Sequence, residues 1–449
     1  MSSLSQFMKK AAKALPPINS KSFPEYFDWL GQYNVVLLGD ASHGTSEFYE
    51  ARAEITKRLI QEHGFKMVAL EADWPDAEAM DHYVRRWPKQ AGRSEAHDVP
   101  FERFPSWMWR NKEMQDLVHW MRDYNEPLPA DQKAGIYGLD LYSMGTSMHA
   151  VIRYLQNVDP EMAKRARARY AQLLRWAGRE HQYGLKMRMP GMQSCEKDVV
   201  RMLLDLLKKR LEYSAKAGDG ERFHSAEQNA VLVVDAEEYY RKMYYSDEIT
   251  WNLRDLHMFQ TLQRLIDFRQ SQSQSQSKVV VWAHNSHLGD ARYTDMGAQR
   301  DEINLGQLCR ERLSDAGAVA IVGTGTHNGT VAAAHDWDAD MEVMKVNPSR
   351  EDSWERVAHD TGLDRFLIDM RKDHCDEATR KHLAAPRLER FIGVIYRPMT
   401  ERWSHYSVSK LAKQFDAYLF FDKTHAVRAL EKIQPNTPLT EAETYPFGL

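Results

Sequence analysis

Cysteine is scarce in this chain. Only Cys195, Cys309 and Cys375 occur in 449 residues, far apart and in no CxxC pairing, so neither a disulfide framework nor a thiolate zinc site is expected. Long apolar runs are missing as well: the stretches around Val279 and Ala318 are far too short to span a bilayer, and no membrane partner is expected. Charge of one sign is not in excess. A net charge of -4 and a pI near 6.5 give no basis for binding nucleic acid. Near the start, Lys9, Lys10 and Lys13 sit in an Ala-rich amphipathic segment that lacks the apolar centre of a secretory signal, which predicts a cytoplasmic location.

Several catalytic signatures are absent too. There is no GxSxG elbow for a nucleophilic serine, no HExxH pair, and no phosphate-cradling loop, since Gly323-Thr324-Gly325 is not followed by a lysine. Internal repeats are also lacking.

What is present is an ordinary globular composition, 43% hydrophobic and 28% charged, in a chain long enough to bury a large core. Twelve tryptophans and 20 tyrosines fit a roomy cleft for a bulky, partly apolar small molecule. The apolar run Val35-Val36-Leu37-Leu38 stops at Gly39-Asp40-Ala41-Ser42-His43, and an amphipathic stretch from Thr45 to about Glu62 follows, with Thr45 or Ser46 as its cap. Phe48, Ile55 and Leu59 form its apolar stripe. Arg52 falls within that stripe, so it points inward and needs a carboxylate or a polar cavity.

The same pattern recurs. Met67 to Leu70 ends in Glu71-Ala72-Asp73, Ala134 to Leu139 ends in Asp140, and Val279 to Ala283 ends in His284-Asn285-Ser286-His287, whose two histidines can converge on one point. Strands alternating with helices predict an α/β fold: a three-layer, mainly parallel sheet with helices on both faces. Its carboxyl edge is where ligands bind. Asp40, His43, Glu71, Asp73, His284 and His287 are then expected at one place, although about 250 residues separate the first from the last.

Between Pro100 and Tyr124 an aromatic stretch reads as a packed helix, with Trp107 the candidate for contacting substrate. From Ser147 to Arg269 no strand is evident, and helical periodicity predicts an insertion lying over the active-site cleft as a wall or lid. Within it Arg254 is a candidate substrate-binding residue and Asp255 beside it can also reach the cleft, although a local pair between the two is the simpler reading. Ser271 to Ser277 reads as a Ser-Gln linker. Further on, a hairpin is expected over Ala318 to Ala334, and strands near Phe366, over Ile392 to Tyr396 and over Tyr418 to Phe421. The chain divides into residues 23–145 and 278–432, forming the two parts of the core, and residues 146–270, forming the helical insertion, without a clean boundary.

A histidine beside carboxylates is a proton acceptor, and a second carboxylate can hold a water. With serine and cysteine nucleophiles unsupported, two chemistries remain. One is hydrolysis by base-activated water without metal, and the other is hydrolysis with a metal held by His43, His284, His287 and carboxylates. A non-catalytic binder of a hydrophobic small molecule is the third reading.

At these residues the chain resembles the erythromycin esterase family. The resemblance rests on Leu38 to Gly44, Glu47-Phe48 and Arg52, on Leu70-Glu71-Ala72-Asp73-Trp74-Pro75, and on Ala283 to His287. Further blocks are Arg402 to Tyr406, Gln414 to Ala417 and Asp422 to Thr424. It implies a three-layer α/β core with a helical portion over a deep cleft, and hydrolysis of a macrolide lactone by a histidine base that activates water without a metal or other cofactor. By resemblance His43 is that base, Glu71 positions the water, and Arg52, His284 and His287 orient groups and stabilise charge. One departure is visible. The family has Glu three residues before the first histidine, and here Asp40 stands there, with a reach shorter by about 1.5 Å.

Overall fold

In the computed structural model the described residues are 3–87, 95–217, 220–272, 277–313 and 319–431. The uninterrupted apolar runs form strands buried on both sides, as strands covered by helices on each face require. The strands are β1 (Lys13–Ala14), β2 (Val35–Asp40), β3 (Met67–Asp73), β4 (Gly135–Asp140), β5 (Val279–His284), β6 (Val319–Ala333), β7 (Glu342–Val346), β8 (Arg365–Asp369), β9 (Arg387–Arg390), β10 (Tyr406–Ser409) and β11 (Ala417–Thr424). The main sheet runs β1-β8-β11-β6-β2-β5-β3-β4, with β7 paired to β6. From β11 to β4 all neighbours are parallel; β1, β7 and β8 pair antiparallel. β9 and β10 form a separate pair.

Alternation along each strand splits the core into two layers. Leu37, Ala69 and Val281 pack with Met258 and Leu262 of the helical stretch on one face. Val36, Leu38, Val68 and Leu70 pack on the other with Phe48, Ile55 and Leu59 of the helix Ser46–His63 and Leu117 and Met121 of the helix Lys112–Asn125. Helices Met144–Val158 to Asp247–Gln272 make up the expected strand-free stretch, and they share their core with the sheet. Among the described residues no helix is long and apolar enough to cross a membrane.

Four local expectations are corrected. The helix expected from Pro100 starts only at Lys112, where the Asn111 side chain accepts from the Met114 N–H at 2.8 Å; Pro100 and Pro105 keep the preceding residues out of helix. Residues 319–333 form one long strand, not a hairpin. Their glycines provide room, with Gly323 under the Phe415 ring and Gly325 under the Tyr418 hydroxyl, and the antiparallel return comes later at β7. Residues 392–396 make only isolated bridges, Ser42 to Ile392 and Ala334 to Ile395. Thr45 occupies the N-cap position, but its hydroxyl is engaged by Ser42 and caps nothing. Of the Ser-Gln segment, Ser271 and Gln272 finish a helix, while residues 273–276 lie outside the described residues.

Candidate active site

The parallel register brings the strand ends together. Asp40 on β2 lies opposite His284 on β5, and Asp73 on β3 opposite Asp140 on β4. The chain leaves β2 through a short turn, which sets His43 beside Asp40, with Nδ1 3.3 Å from Asp40 Oδ1 and Nε2 3.8 Å from Glu71 Oε1. Arg52, about two turns into the helix that follows, is 2% exposed and reaches Asp40 Oδ2 at 2.7 Å. Its guanidinium lies 4.6 Å from the centroids of both the Tyr49 and Trp282 rings, so aromatic faces cover what the carboxylate leaves bare.

Glu71 is the hub. Its Oε2 accepts from the His284 backbone N–H at 2.8 Å, and Oε1 accepts from Arg254 at 2.7 Å and lies 3.3 Å from His287 Nε2. Burial pushes its pKa up, but His287, His43, Arg254 and the His284 N–H outweigh burial and hold it well below the usual carboxylate range. Burial acts likewise on Asp40, where Arg52, His43 and His284 bring the net shift downward. Both acids are therefore ionised at neutral pH.

Arg254 extends from the helix Asp247–Gln272 to grip Asp140 at 3.0 and 2.7 Å as well as Glu71, and its Nη1 lies 3.0 Å from His287 Nε2. Asp255 turns away from Arg254, holds His287 Nδ1 at 2.9 Å and accepts from the Leu305 N–H at 2.8 Å. The expected local Arg254–Asp255 pair is thus replaced by two separate long-range contacts. Trp251 stacks on the His287 ring at 4.5 Å. Burial lowers the His287 pKa, while Asp255 and Glu71 overcome it and raise the net value. When neutral, Nε2 accepts from Arg254; when charged, it donates to Glu71.

The two histidines of His284-Asn285-Ser286-His287 do not converge on one point. His284 Nδ1 faces its own Ser286 hydroxyl at 2.8 Å, and its ring lies 4.8 Å from that of His43. Burial, reinforced by His43, pushes His284 down to about 3, so it stays neutral. Among the described residues no three His, Cys, Asp or Glu side chains are grouped to hold a metal ion.

These residues open on a cleft with an empty volume of about 630 Å³, lined by His43, Glu71, Asp140 and Arg254 on the polar side and by Phe101, Phe104, Trp109 and Trp337 on the apolar side. Trp107 is not among them. It is fully buried and packs edge-on against Phe104, which faces the cleft in its place. Asp73, engaged by Arg103 at 2.9 Å and by the Tyr142 N–H at 3.0 Å, lines the rim with Asp76. Burial and the Asp73 charge push Asp76 up to about 7. Sequence reasoning left Asp140 out of the site and read Asp255 first as the local partner of Arg254. The signal for Asp140 was there, an apolar run ending in acid like those at Asp40 and Glu71; nothing local pointed Asp255 toward His287.

A profile of the erythromycin esterase family matches residues 60–424, a stretch that begins after Asp40, His43 and Arg52. The chain is 23% identical over 297 residues to the putative hydrolase YbfO of Bacillus subtilis (strain 168), covering 62% of each. It is 24% identical over 144 residues to the type II erythromycin esterase of Escherichia coli, covering 32% of this chain and 30% of that one. The matched parts thus span less than two thirds of these relatives. Among solved structures, a Bacillus cereus protein superposes with a TM-score of 0.75 at 19% identity, over 95% of this chain and 98% of that one. A succinoglycan biosynthesis protein gives 0.74 at 20% over 95% and 97%, and an erythromycin esterase mutant in its open conformation gives 0.61 at 16% over 92% and 95%. With the profile matching well over half of its length, the chain belongs to the erythromycin esterase family.

Proposed function

We propose that this cleft hydrolyses a carboxylic ester with water activated by His43. The observation that carries the reading is the placing of one imidazole between two ionised carboxylates, Asp40 at Nδ1 and Glu71 near Nε2, at the floor of an aromatic-lined cleft. Arg52 fixes Asp40, and Asp40 keeps the ring proton on Nδ1, which leaves the Nε2 lone pair as the base. Water held between Nε2 and Glu71 attacks the acyl carbon and gives its proton to His43. The resulting tetrahedral oxyanion is stabilised by cationic groups at the cleft, chief among them Arg254. Collapse breaks the C–O bond, and the imidazolium returns its proton to the departing alkoxide, yielding acid and alcohol.

Arg254 acts on substrate from the helical stretch at residues 146–270, which forms one wall of the cleft between the two parts of the core. His284 and His287 orient and polarise from behind. The substrate is a bulky, partly apolar ester, and the lactone of a macrolide fits both the lining and the family; hydrolysis in the cytoplasm would confer resistance to such an antibiotic. Donor chemistry favours metal-free hydrolysis over a bound metal, because a guanidinium already stands against His287 Nε2. Incubation with macrolides of 14- and 16-membered rings and with simple aromatic esters, read by mass spectrometry, tests the proposal. A product heavier by one water supports it. Ligand-induced thermal stabilisation without any product makes the protein a binder instead.

A further inference from the structure

Across the junction of β3 and the helix Trp74–Val84 from the cleft lies a second cavity, with an empty volume of about 700 Å³. Asp73 faces the cleft and Trp74 the cavity. It is built between the edge strand β4 and three helices. The helix Trp74–Val84 turns Trp74, Glu78, Asp81 and His82 toward it, positions spaced as one helical face. Helices Met144–Val158 and Glu221–Lys242 contribute Arg153, His224 and Asn229.

Three polar groups on this wall are unmatched. His224 is 5% exposed and its Nε2 has no hydrogen-bond partner. Asn229, 1% exposed, donates through Nδ2 to the Ser225 carbonyl at 2.9 Å, while its Oδ1 accepts nothing. Half-buried Arg153 has no ion-pair partner among the described residues. Leaving a buried polar atom unsatisfied costs about 1–3 kcal/mol, and native folds keep few such atoms. Two on one wall, beside an unpaired guanidinium, mark a place completed from outside the chain.

The chemistry of the wall selects what completes it. Asp81 and Glu221 are already neutralised by Arg85, and Glu221 also by Arg269 at 2.6 Å. Glu78 accepts from the Ser225 hydroxyl. His224 stays neutral, since burial and the nearby Arg269, Arg264 and Arg210 push it down to about 3. What remains is an acceptor at Asn229, a donor at Arg153 and an imidazole nitrogen of either sense, beside the Trp74 and Tyr137 rings 6.2 Å apart. Hydroxyl groups both donate and accept, so one neutral polyhydroxylated ring meets all three, while its C–H faces lie on the aromatic rings. An aromatic acid would use Arg153 but leave Asn229 Oδ1 empty.

We propose that this cavity, between β4 and the helices carrying Trp74, Arg153 and Asn229, is a binding site for a neutral sugar of pyranose size, separate from the hydrolytic cleft. Saturation-transfer NMR on the full chain tests it, with glucose, galactose, mannose and N-acetylglucosamine as probes and benzoate, which has no hydroxyl to offer Asn229, as the competing aromatic acid. We expect at least one sugar to bind saturably, with its ring C–H protons receiving most of the transfer. Loss of the donor in Arg153→Ala or of the acceptor in Asn229→Leu should weaken it about fivefold or more, while His43→Ala leaves it unchanged. Absence of saturable binding by every sugar of the set, binding that Arg153→Ala leaves intact, loss of binding in folded His43→Ala, or binding of the aromatic acid alone overturns the proposal. None of these outcomes depends on whether the cleft hydrolyses esters.

Discussion

Arg52 illustrates what a buried charge requires here. Its inward direction was legible from its place between Phe48 and Ile55, but its partner was not, because helix spacing gives a direction and no address. The partner is Asp40, with the Tyr49 and Trp282 rings completing the enclosure. Arg52→Met should therefore leave the buried Asp40 carboxylate without its permanent cation, at a cost of about 3–5 kcal/mol, read as a lower midpoint in denaturant. Arg52→Lys should not restore it, since an ammonium cannot lie flat between the rings. Arg254 and Asp255 teach the converse. Adjacent residues on a helix do not face each other, so the sequence pair separates, one side chain going to Glu71 and Asp140 and the other to His287. His284 gives a test in pH. Its folded-state value of about 3 lies below the unfolded value, so the unfolded chain binds more protons between the two. Stability should fall as pH drops through that window, and His284→Gln should flatten this part of the melting-temperature profile relative to wild type.

At the scale of elements, the four strands β2 to β5 were legible because a strand buried on both faces must be continuously apolar and must stop at the first charge. β2, β3, β4 and β5 do so at Asp40, Glu71 to Asp73, Asp140 and His284. β6 was not: it was read as a hairpin, whereas it runs straight and its glycines make room for the Phe415 and Tyr418 side chains. Trp107 was misplaced for a related reason. Aromatic content reports a cluster without saying which ring faces solvent, and the loop after Pro105 turns Trp109 rather than Trp107 to the cleft. The helix that follows depends on its cap. Asn111→Ala removes the acceptor of the Met114 N–H and should cost about 1 kcal/mol, measured by urea denaturation at neutral pH.

Over the whole molecule, the strand order places β5 between β2 and β3 although about 200 residues of chain intervene between β3 and β5. Nothing local encodes that order, yet it is what joins Asp40, Glu71 and His284. Arg254 ties the helical stretch to the sheet edge through Glu71 and Asp140, which makes it both a packing and a site residue. Arg254→Met should release two buried carboxylates from their cation, at a cost of about 3–5 kcal/mol. Faster amide exchange should then appear in the helix Asp247–Gln272 together with loss of turnover, while exchange in the distant β8 stays slow.

The most direct measurement is kcat/KM for ester hydrolysis by His43→Ala beside wild type, on protein shown to melt cooperatively. Removal of the base that accepts the proton of the attacking water predicts a loss of about 10²–10⁴-fold. A folded His43→Ala protein that hydrolyses the same ester at the wild-type rate would contradict the account.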